Sequence, residues 1–295
     1  MTPALLPSGC SVIHTLPLFI REDSLQHDLE MVIACLHSLS ASAGRHVVIY
    51  NQGCLTHTDL ARIAKDCGVE AHILGSERNV GIARARQACF EYVWQTYPDV
   101  AYISEIHVDM LFPAAWYEPL IRFLDTSQEP MICPGIVTSA GELQPLGLRV
   151  PPATDAEQWL NLLASLPLGG LAYGFVHPVI HRSEALQAIG GYDTGLLRGR
   201  QGYEDDSLLL GYAYYMGTRN EWKPRCCLQS WVYHATMAQR MSLQGKLQDF
   251  ALNELGLFHL YGINGLRALA RLHNKPNLFD ELVLKYMPLT GGREE

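Results

Sequence analysis

Strand-like apolar segments alternate with segments of helical periodicity over the first 137 residues, and this alternation constrains the fold more than any other feature of the sequence. Strands are predicted at residues 11–19, 46–50, 70–74, 100–106 and 131–137. Helices are predicted at residues 25–39, 57–67, 79–97 and 113–124. Because every strand but the last is followed by a helix of about ten or more residues, the pattern predicts a parallel sheet covered by helices on both faces.

The polar turns that follow the predicted strands are expected to lie along one edge of this sheet. They comprise residues 17–22, 51–54, 77–79 and 105–109. In open α/β sheets, ligands bind beyond the carboxyl ends of the parallel strands. The sequence therefore predicts a binding site at this edge.

The rest of the chain divides into two further parts. From 141 to 168 the periodic pattern weakens and several prolines occur, so we predict a variable loop region. After His234 the sequence is mainly helical. We therefore expect one α/β domain over residues 1–235 and a helical extension, residues 236–295, packed on it.

Composition excludes several classes of protein. The 295 residues carry a formal charge of −8 with acids and bases interspersed, which disfavours binding to a nucleic-acid backbone. No stretch of about 18 apolar residues predicts a transmembrane segment, and the amino terminus lacks the basic region of a signal peptide. The eight cysteines show no paired spacing typical of a disulfide framework or a structural zinc site. We expect a cytoplasmic protein.

The strongest local signal for chemistry is the segment His107–Asp109, which follows a predicted strand. Two residues apart, His107 and Asp109 share one face of a regular strand. Imidazole and carboxylate ligands suit Mn²⁺ or Mg²⁺, so the pair is a candidate metal site. Taken alone, the same residues are more typical of a surface turn that carries an aspartate.

Two further clusters have both a structural and a functional interpretation. Glu204, Asp205 and Asp206 precede an apolar run, as acids do at an ordinary helix amino terminus, but one of them can also act as a general base. His234 ends a predicted strand, where it is either a packed histidine or a metal ligand that acts with Asp109.

Together the segments resemble the family-2 glycosyltransferases of the GT-A fold over about residues 12–234. In the first half, PLFIRE at 17–22 is similar to the family's P-x-Y-N-R-E stretch. Residues 48–51, followed by Gly53, resemble its second strand and nucleoside turn. NVGIARARQ at 79–87 matches its N-x-G-x-x-x-A-R-N pattern.

The second half continues in the family's order. His107–Asp109 falls where the family has its metal-binding D-x-D, with a histidine in place of the first aspartate. Glu105 is a nearby carboxylate that can substitute for it. The segments GGYD at 190–193 and YED at 203–205 follow the family's G-G-F-D and E-D motifs, and His234 falls where many members have a late metal-ligand histidine.

The resemblance implies a Rossmann-like, mostly parallel central sheet flanked by helices, with the C-terminal helical extension. It also implies an inverting glycosyltransferase that moves a sugar from a nucleotide-diphosphate sugar, with a UDP-sugar favoured, to a hydroxyl acceptor. The metal, Mn²⁺ or Mg²⁺, would be bound by Asp109 with His107 and His234. Asp205 would be the catalytic base, with Glu204 as the alternative.

The same resemblance implies where the donor and acceptor lie. Pro17, Asn51, Asn79 and Arg86 would lie near the nucleotide. The region 141–168 would lie on the side of the acceptor, whose identity the sequence does not give.

Two other functions and the oligomeric state stay open. One alternative is a non-catalytic nucleotide- or sugar-binding protein of the same fold. The other is a metal-dependent hydrolase in which His107, Asp109, Asp205 and His234 hold a metal that activates water. Either a monomer or a homodimer is compatible with the sequence.

Overall fold

The computed structural model describes residues 12–42, 45–166, 168–217, 219–235 and 245–289. Within these residues, eleven strands form one sheet. The strands are β1 (Val12–Leu18), β2 (His46–Asn51), β3 (Glu70–Gly75), β4 (Tyr102–Glu105), β5 (Met110–Leu111), β6 (Met131–Thr138), β7 (Glu142–Gln144), β8 (Leu148–Arg149), β9 (Leu171–Tyr173), β10 (Val179–Arg182) and β11 (Arg225–His234). The helices are α1 (Leu25–Ser40), α2 (His57–Asp66), α3 (Ile82–Thr96), α4 (Glu118–Thr126), α5 (Ala156–Ser165), α6 (Ser183–Ala188), α7 (Glu204–Tyr215), α8 (Lys246–Leu272) and α9 (Asp280–Tyr286).

The sheet has a parallel half and a mixed half. Its strand order is β3-β2-β1-β4-β10-β6-β11-β5, with β7, β8 and β9 at the side. The first four strands pair in parallel. Strand β10 then runs antiparallel to both of its neighbours, whereas β6 and β11 are parallel. The predicted α/β class, with a central sheet flanked by helices, is confirmed.

Two apolar cores lie on the two faces of this sheet, which explains why its central strands read as continuous apolar runs. All seven residues of β1 are buried, and its neighbours Val12 and Ile13 belong to different cores. The adjacent Cys226 and Cys227 of β11 divide between the two cores in the same way. A strand buried on both faces is expected to be mostly apolar. The two polar residues of β1, His14 and Thr15, are each hydrogen-bonded to Ser104.

The helix predicted at 113–124 begins later than expected, at Glu118. Proline fits the first turn of a helix but not its interior, where it removes a backbone hydrogen bond. Pro119 therefore fixes the start of α4. Ala115, with φ of 57°, forms part of the turn before it.

The region 141–168 is not a loop throughout, because it contains β7, β8 and the helix α5. The side chain of Asp155 caps this helix by accepting a hydrogen bond from the Gln158 backbone N–H at 2.8 Å. Trp159 and Leu163, four residues apart, are buried on one face of the helix. The Trp159 ring packs 4.5 Å from the ring of Tyr233 on β11.

Helix α8 packs against the segment that precedes α7. The side chain of Asn253 accepts a hydrogen bond from the Gly199 N–H at 2.6 Å and donates one to the Gly202 carbonyl at 2.8 Å. The hydroxyl of Tyr261 donates to the Ser207 carbonyl at 3.0 Å.

The predicted boundary between 235 and 236 adjoins residues 236–244, which lie outside the described residues. Within the part of the chain described, no helix has both the length and the apolar character needed to cross a membrane.

Candidate functional site

Backbone hydrogen bonds join the turns that the sequence predicts at the carboxyl edge of the parallel strands. The backbone N–H of Gln52 donates to the Leu18 carbonyl at 2.8 Å. The side-chain oxygen of Gln52 accepts from the N–H groups of Val80 and Gly81 at 3.0 and 3.1 Å. The expected clustering of the turns after β1, β2 and β3 is therefore present.

Pro17 and Asn51 are buried residues that support these turns. Pro17 is buried in β1, and Asn51 is fully buried. The Asn51 amide accepts from the Gly53 N–H at 3.1 Å and donates to the Leu55 carbonyl at 2.7 Å. The half-buried Asn79 accepts from the Gly81 N–H at 3.0 Å. Pro17 and Asn51 can thus lie near a nucleotide only as buried parts of the turns that would hold it.

His107, Asp109 and His234 come together where β5 pairs with the end of β11. His234 is in register with Met110, and the Ala235 N–H donates to the Asp109 carbonyl at 2.9 Å. One ligand atom from each of the three side chains lies within 4.8 Å of those of the other two. His234 Nε2 is 3.4 Å from Asp109 Oδ1.

These side chains fit a divalent ion by their chemistry and burial. Two imidazoles and one carboxylate are ligands that Mn²⁺ and related ions accept. Only 9% of His234 is exposed, and among the described residues its Nδ1 has no hydrogen-bond partner. A buried polar atom without a partner is unfavourable unless another group satisfies it.

His107 differs from the other two because it also contacts Arg86. A guanidinium N–H of Arg86 donates to His107 Nε2, and a guanidinium has no acceptor atom. The His107 ring is therefore held in its neutral form, stacked 4.5 Å from the ring of His177. An ion can bind this nitrogen only by displacing Arg86, so Asp109 and His234 are the more direct ligands.

A buried ion pair, Arg86–Glu105, lies beneath the cluster. Arg86 is 1% exposed and Glu105 is fully buried, with 2.7 Å between Arg86 Nη1 and Glu105 Oε2. His181 Nε2 donates to Glu105 Oε1 at 2.7 Å, and the Tyr192 hydroxyl donates to Oε2 at 2.9 Å. Burial acts to raise the pKa of Glu105, but Arg86 and His181 outweigh it and hold the pKa below its usual value. Glu105 is therefore paired with Arg86 and is not a substitute metal ligand.

Arg86 also faces the acidic start of α7. Its Nη1 atom is 3.4 Å from Asp205 Oδ1 and 3.0 Å from His177 Nε2. Burial, and then the neighbouring Arg86, lower the pKa of His177 well below its usual value, so this ring is neutral. Arg86 thus contacts both His107 and Asp205 from the buried side of the site.

The three acids at the start of α7 have different surroundings. Tyr203, which precedes them, has φ of 62°, in the left-handed region. Asp206 accepts a hydrogen bond from His273 Nε2 at 2.6 Å, and only 4% of Glu204 is exposed. The side chain of Asp205 is 32% exposed. Asp205 is therefore the most accessible carboxylate of the three.

One cavity of about 830 Å³ is lined by His177, His234 and the three acids at the start of α7. Phe250 of α8 and Phe279, which precedes α9, also line it. The cavity is therefore bordered by His234, one of the candidate metal ligands, and by the C-terminal helices, whereas His107 and Asp109 are not among its lining residues.

Sequence reasoning missed the roles of His177, His181 and Tyr192. Tyr192 is the third residue of the GGYD segment at 190–193, so the motif was visible although its contact with Glu105 was not. For His177 and His181 a local pattern offers no signal, because their partners lie far away along the chain.

No family model matches the sequence, and no curated protein matches it. The structure is similar to the crystal structure of S. aureus TarS 1–349, with a TM-score of 0.55 and 12% identity over 97% of this chain and 76% of that one. The same protein in complex with UDP gives a TM-score of 0.52 and 10% identity over 96% of this chain and 76% of that one.

A second glycosyltransferase is similar over a smaller share of its own length. GalNAc-T7, solved with UDP, GalNAc and Mn²⁺, gives a TM-score of 0.51 and 14% identity over 95% of this chain and 58% of that one. At such identities the likeness shows the fold. The chain has the GT-A fold of nucleotide-diphospho-sugar transferases.

Proposed function

We propose that this protein is an inverting glycosyltransferase that moves a sugar from a nucleotide-diphosphate sugar to a hydroxyl acceptor with the help of a divalent metal. The observation that carries the proposal is the convergence of His234 and Asp205 on one cavity of about 830 Å³. One candidate metal ligand and the candidate base thus line the same cavity. The GT-A fold, shared with proteins solved with UDP and with Mn²⁺, supports the same activity.

In this proposal Asp109 and His234 hold the metal, with His107 as the third ligand. A metal at this position would stabilise the negative charge on the departing nucleoside diphosphate. Two imidazole nitrogens favour Mn²⁺ over the harder Mg²⁺, which prefers oxygen ligands. Asn79 and the turns containing Pro17 and Asn51 form the nucleotide side of the site, with a UDP-sugar as the favoured donor.

Asp205 is the proposed base. Its carboxylate accepts the proton of the acceptor hydroxyl while the hydroxyl oxygen bonds to the anomeric carbon. The bond from that carbon to the diphosphate oxygen breaks, the nucleoside diphosphate leaves, and the anomeric configuration inverts. Arg86, 3.4 Å from Asp205, orients the carboxylate from behind. Glu204 is the alternative base, but it is only 4% exposed.

The domain organisation follows from the same proposal. Residues 1–235 form the catalytic domain, and residues 236–295 form an extension that completes the cavity. The region 141–168 supplies further contacts on the acceptor side, where Gln144 of β7 lines the cavity.

A thermal-shift panel tests the proposal. We expect one class among UDP-, GDP-, dTDP- and CMP-sugars to raise the Tm when Mn²⁺ is present, and less so without metal. At a ligand concentration of about 100 Kd, binding adds about 2.7 kcal/mol to the stability of the folded state, which raises the Tm by several degrees. Folded protein that responds to no nucleotide sugar, with or without Mn²⁺ or Mg²⁺, would contradict it.

Substitution of the metal ligands gives a second prediction. Asp109→Asn and His234→Asn should each weaken Mn²⁺ binding by at least about tenfold, because each removes a direct ligand. His107→Asn should have a smaller effect, because Arg86 already occupies Nε2 of that ring. Titration calorimetry with Mn²⁺ measures all three.

The exposed His259 of α8 offers a matched control. His259→Asn also removes one imidazole, so it corrects for weak binding of Mn²⁺ at surface histidines. Equal affinities in the His234→Asn and His259→Asn variants would show that His234 is not a ligand.

A further inference from the structure

The C-terminal helices form part of the cavity lining, and the residues that they contribute are acidic, basic and aromatic. Phe250 and Glu254 reach it from α8, and Glu281 and Lys285 reach it from α9. Asp205, the proposed base, lies at the same cavity. The wall formed by α8 and α9 is therefore placed to contact whatever compound delivers the hydroxyl to Asp205.

The residues that line the cavity carry an excess of negative charge. Among the described residues that line the cavity, Lys285 is the single lysine or arginine, and it already pairs with Glu254. Five carboxylates line the same cavity, Glu204, Asp205, Asp206, Glu254 and Glu281, of which Glu254 is the partner of Lys285 and Asp206 that of His273. An anionic compound would have to enter against this charge.

Aromatic rings also line the cavity. Tyr203, Phe250 and Phe279 all line the cavity, and the rings of Tyr203 and Phe250 meet edge to face at 5.9 Å. Flat apolar faces beside a few polar groups are typical of pockets that bind a ring-shaped compound.

We infer that the acceptor is a carbohydrate without phosphate or carboxylate groups, bound between Asp205 and the helices α8 and α9. The inference rests on the proposed function. An ionised carboxylate only accepts hydrogen bonds, so it matches the O–H donors of a sugar ring. A phosphate offers acceptors and negative charge, and like charges brought together at an interface disfavour binding.

The same charges separate the two substrates. The diphosphate of a nucleotide sugar needs a cation beside it, which the candidate ligands His107, Asp109 and His234 would hold. Glu281 on α9 lines the cavity and disfavours the approach of a diphosphate to that helix. We therefore expect the diphosphate of the donor beside the metal ligands and the acceptor beside α8 and α9.

Transfer to matched pairs of oligosaccharides tests the inference. Each neutral glycan is paired with the same glycan carrying one phosphate, and mass spectrometry follows sugar addition from the nucleotide sugar that the thermal-shift panel selects. We expect kcat/KM to be at least about tenfold higher for the neutral member of each productive pair. Equal or better transfer to the phosphorylated member would overturn the inference.

The exposed Glu281 allows the charge itself to be tested. Glu281→Lys should reduce the preference for the neutral glycan by about tenfold, because it reverses one charge of the wall. Glu157→Lys is the matched control, since Glu157 is also an exposed acid in the first turn of a helix but does not line the cavity. Equal changes in both variants would overturn the role of the wall.

The outcomes separate the inference from the proposed function. If no nucleotide sugar stabilises the protein, the proposed function fails. If one does, but no glycan of the neutral set receives a sugar, the acceptor inference fails and the donor site stands.

Discussion

Replacement of Glu105 by glutamine is expected to lower the free energy of unfolding by about 3–5 kcal/mol, the range seen when one partner of a buried ion pair is removed. Glutamine keeps the shape of the side chain, so the loss is electrostatic and leaves no cavity. It leaves Arg86, which is 1% exposed, without its 2.7 Å contact to a buried anion. Urea unfolding at neutral pH measures the change.

A surface pair provides the control for this measurement. Glu118 and Arg122 are 3.5 Å apart, and their side chains are 53% and 65% exposed. Glu118→Gln removes the same charge from an exposed helical pair, where the expected loss is about 0.5 kcal/mol or less. A loss below about 1 kcal/mol for Glu105→Gln would mean that the buried pair contributes no more than a surface pair.

The pH dependence provides an independent check of the same pair. The folded-state pKa of Glu105 lies below its usual value of 4.5. The stabilisation is therefore fully present above that value and is lost as the pH falls through the folded-state pKa. The difference in stability between wild type and Glu105→Gln should shrink on acidification.

Strands β1 and β2 could be predicted from the sequence because they are mostly buried and mostly apolar. Both strands, and the more exposed β3, lie within two residues of their predicted ends. The short strands β7 to β10 were not predicted, since two to four residues give no measurable periodicity. Helix α5 was missed because the prolines at 151 and 152 suggested a loop, although they precede the helix and do not interrupt it.

The candidate site could be predicted only in part. The order of motifs pointed to His107, Asp109 and His234, whose proximity depends on the register between β5 and β11. The environment of Arg86 was not predictable, because its partner Glu105 lies on a different element and no local pattern links them. Arg86 is buried between His107 and Asp205, and its place near the nucleotide stays a prediction.

Asp205→Asn gives the largest expected effect on activity. Asparagine cannot accept the proton of the acceptor hydroxyl, so kcat for transfer should fall by about 10²–10⁴-fold. The nucleotide sugar and Mn²⁺ should still bind with unchanged affinity, because Asp205 is not among the candidate metal ligands. Product formation and the thermal shift, measured on the same preparation, separate the two effects.

Two further variants make this result specific. Asp280→Asn changes an exposed acid in the first turn of α9 in the same way and should leave kcat unchanged. Glu204→Gln tests the alternative base; a larger loss of kcat there than in Asp205→Asn would move the role of base to Glu204.

If wild-type protein binds the nucleotide sugar but transfers the sugar to no acceptor, the non-catalytic binding protein is the better interpretation. Zinc-dependent hydrolysis of an ester or amide would instead favour the hydrolase.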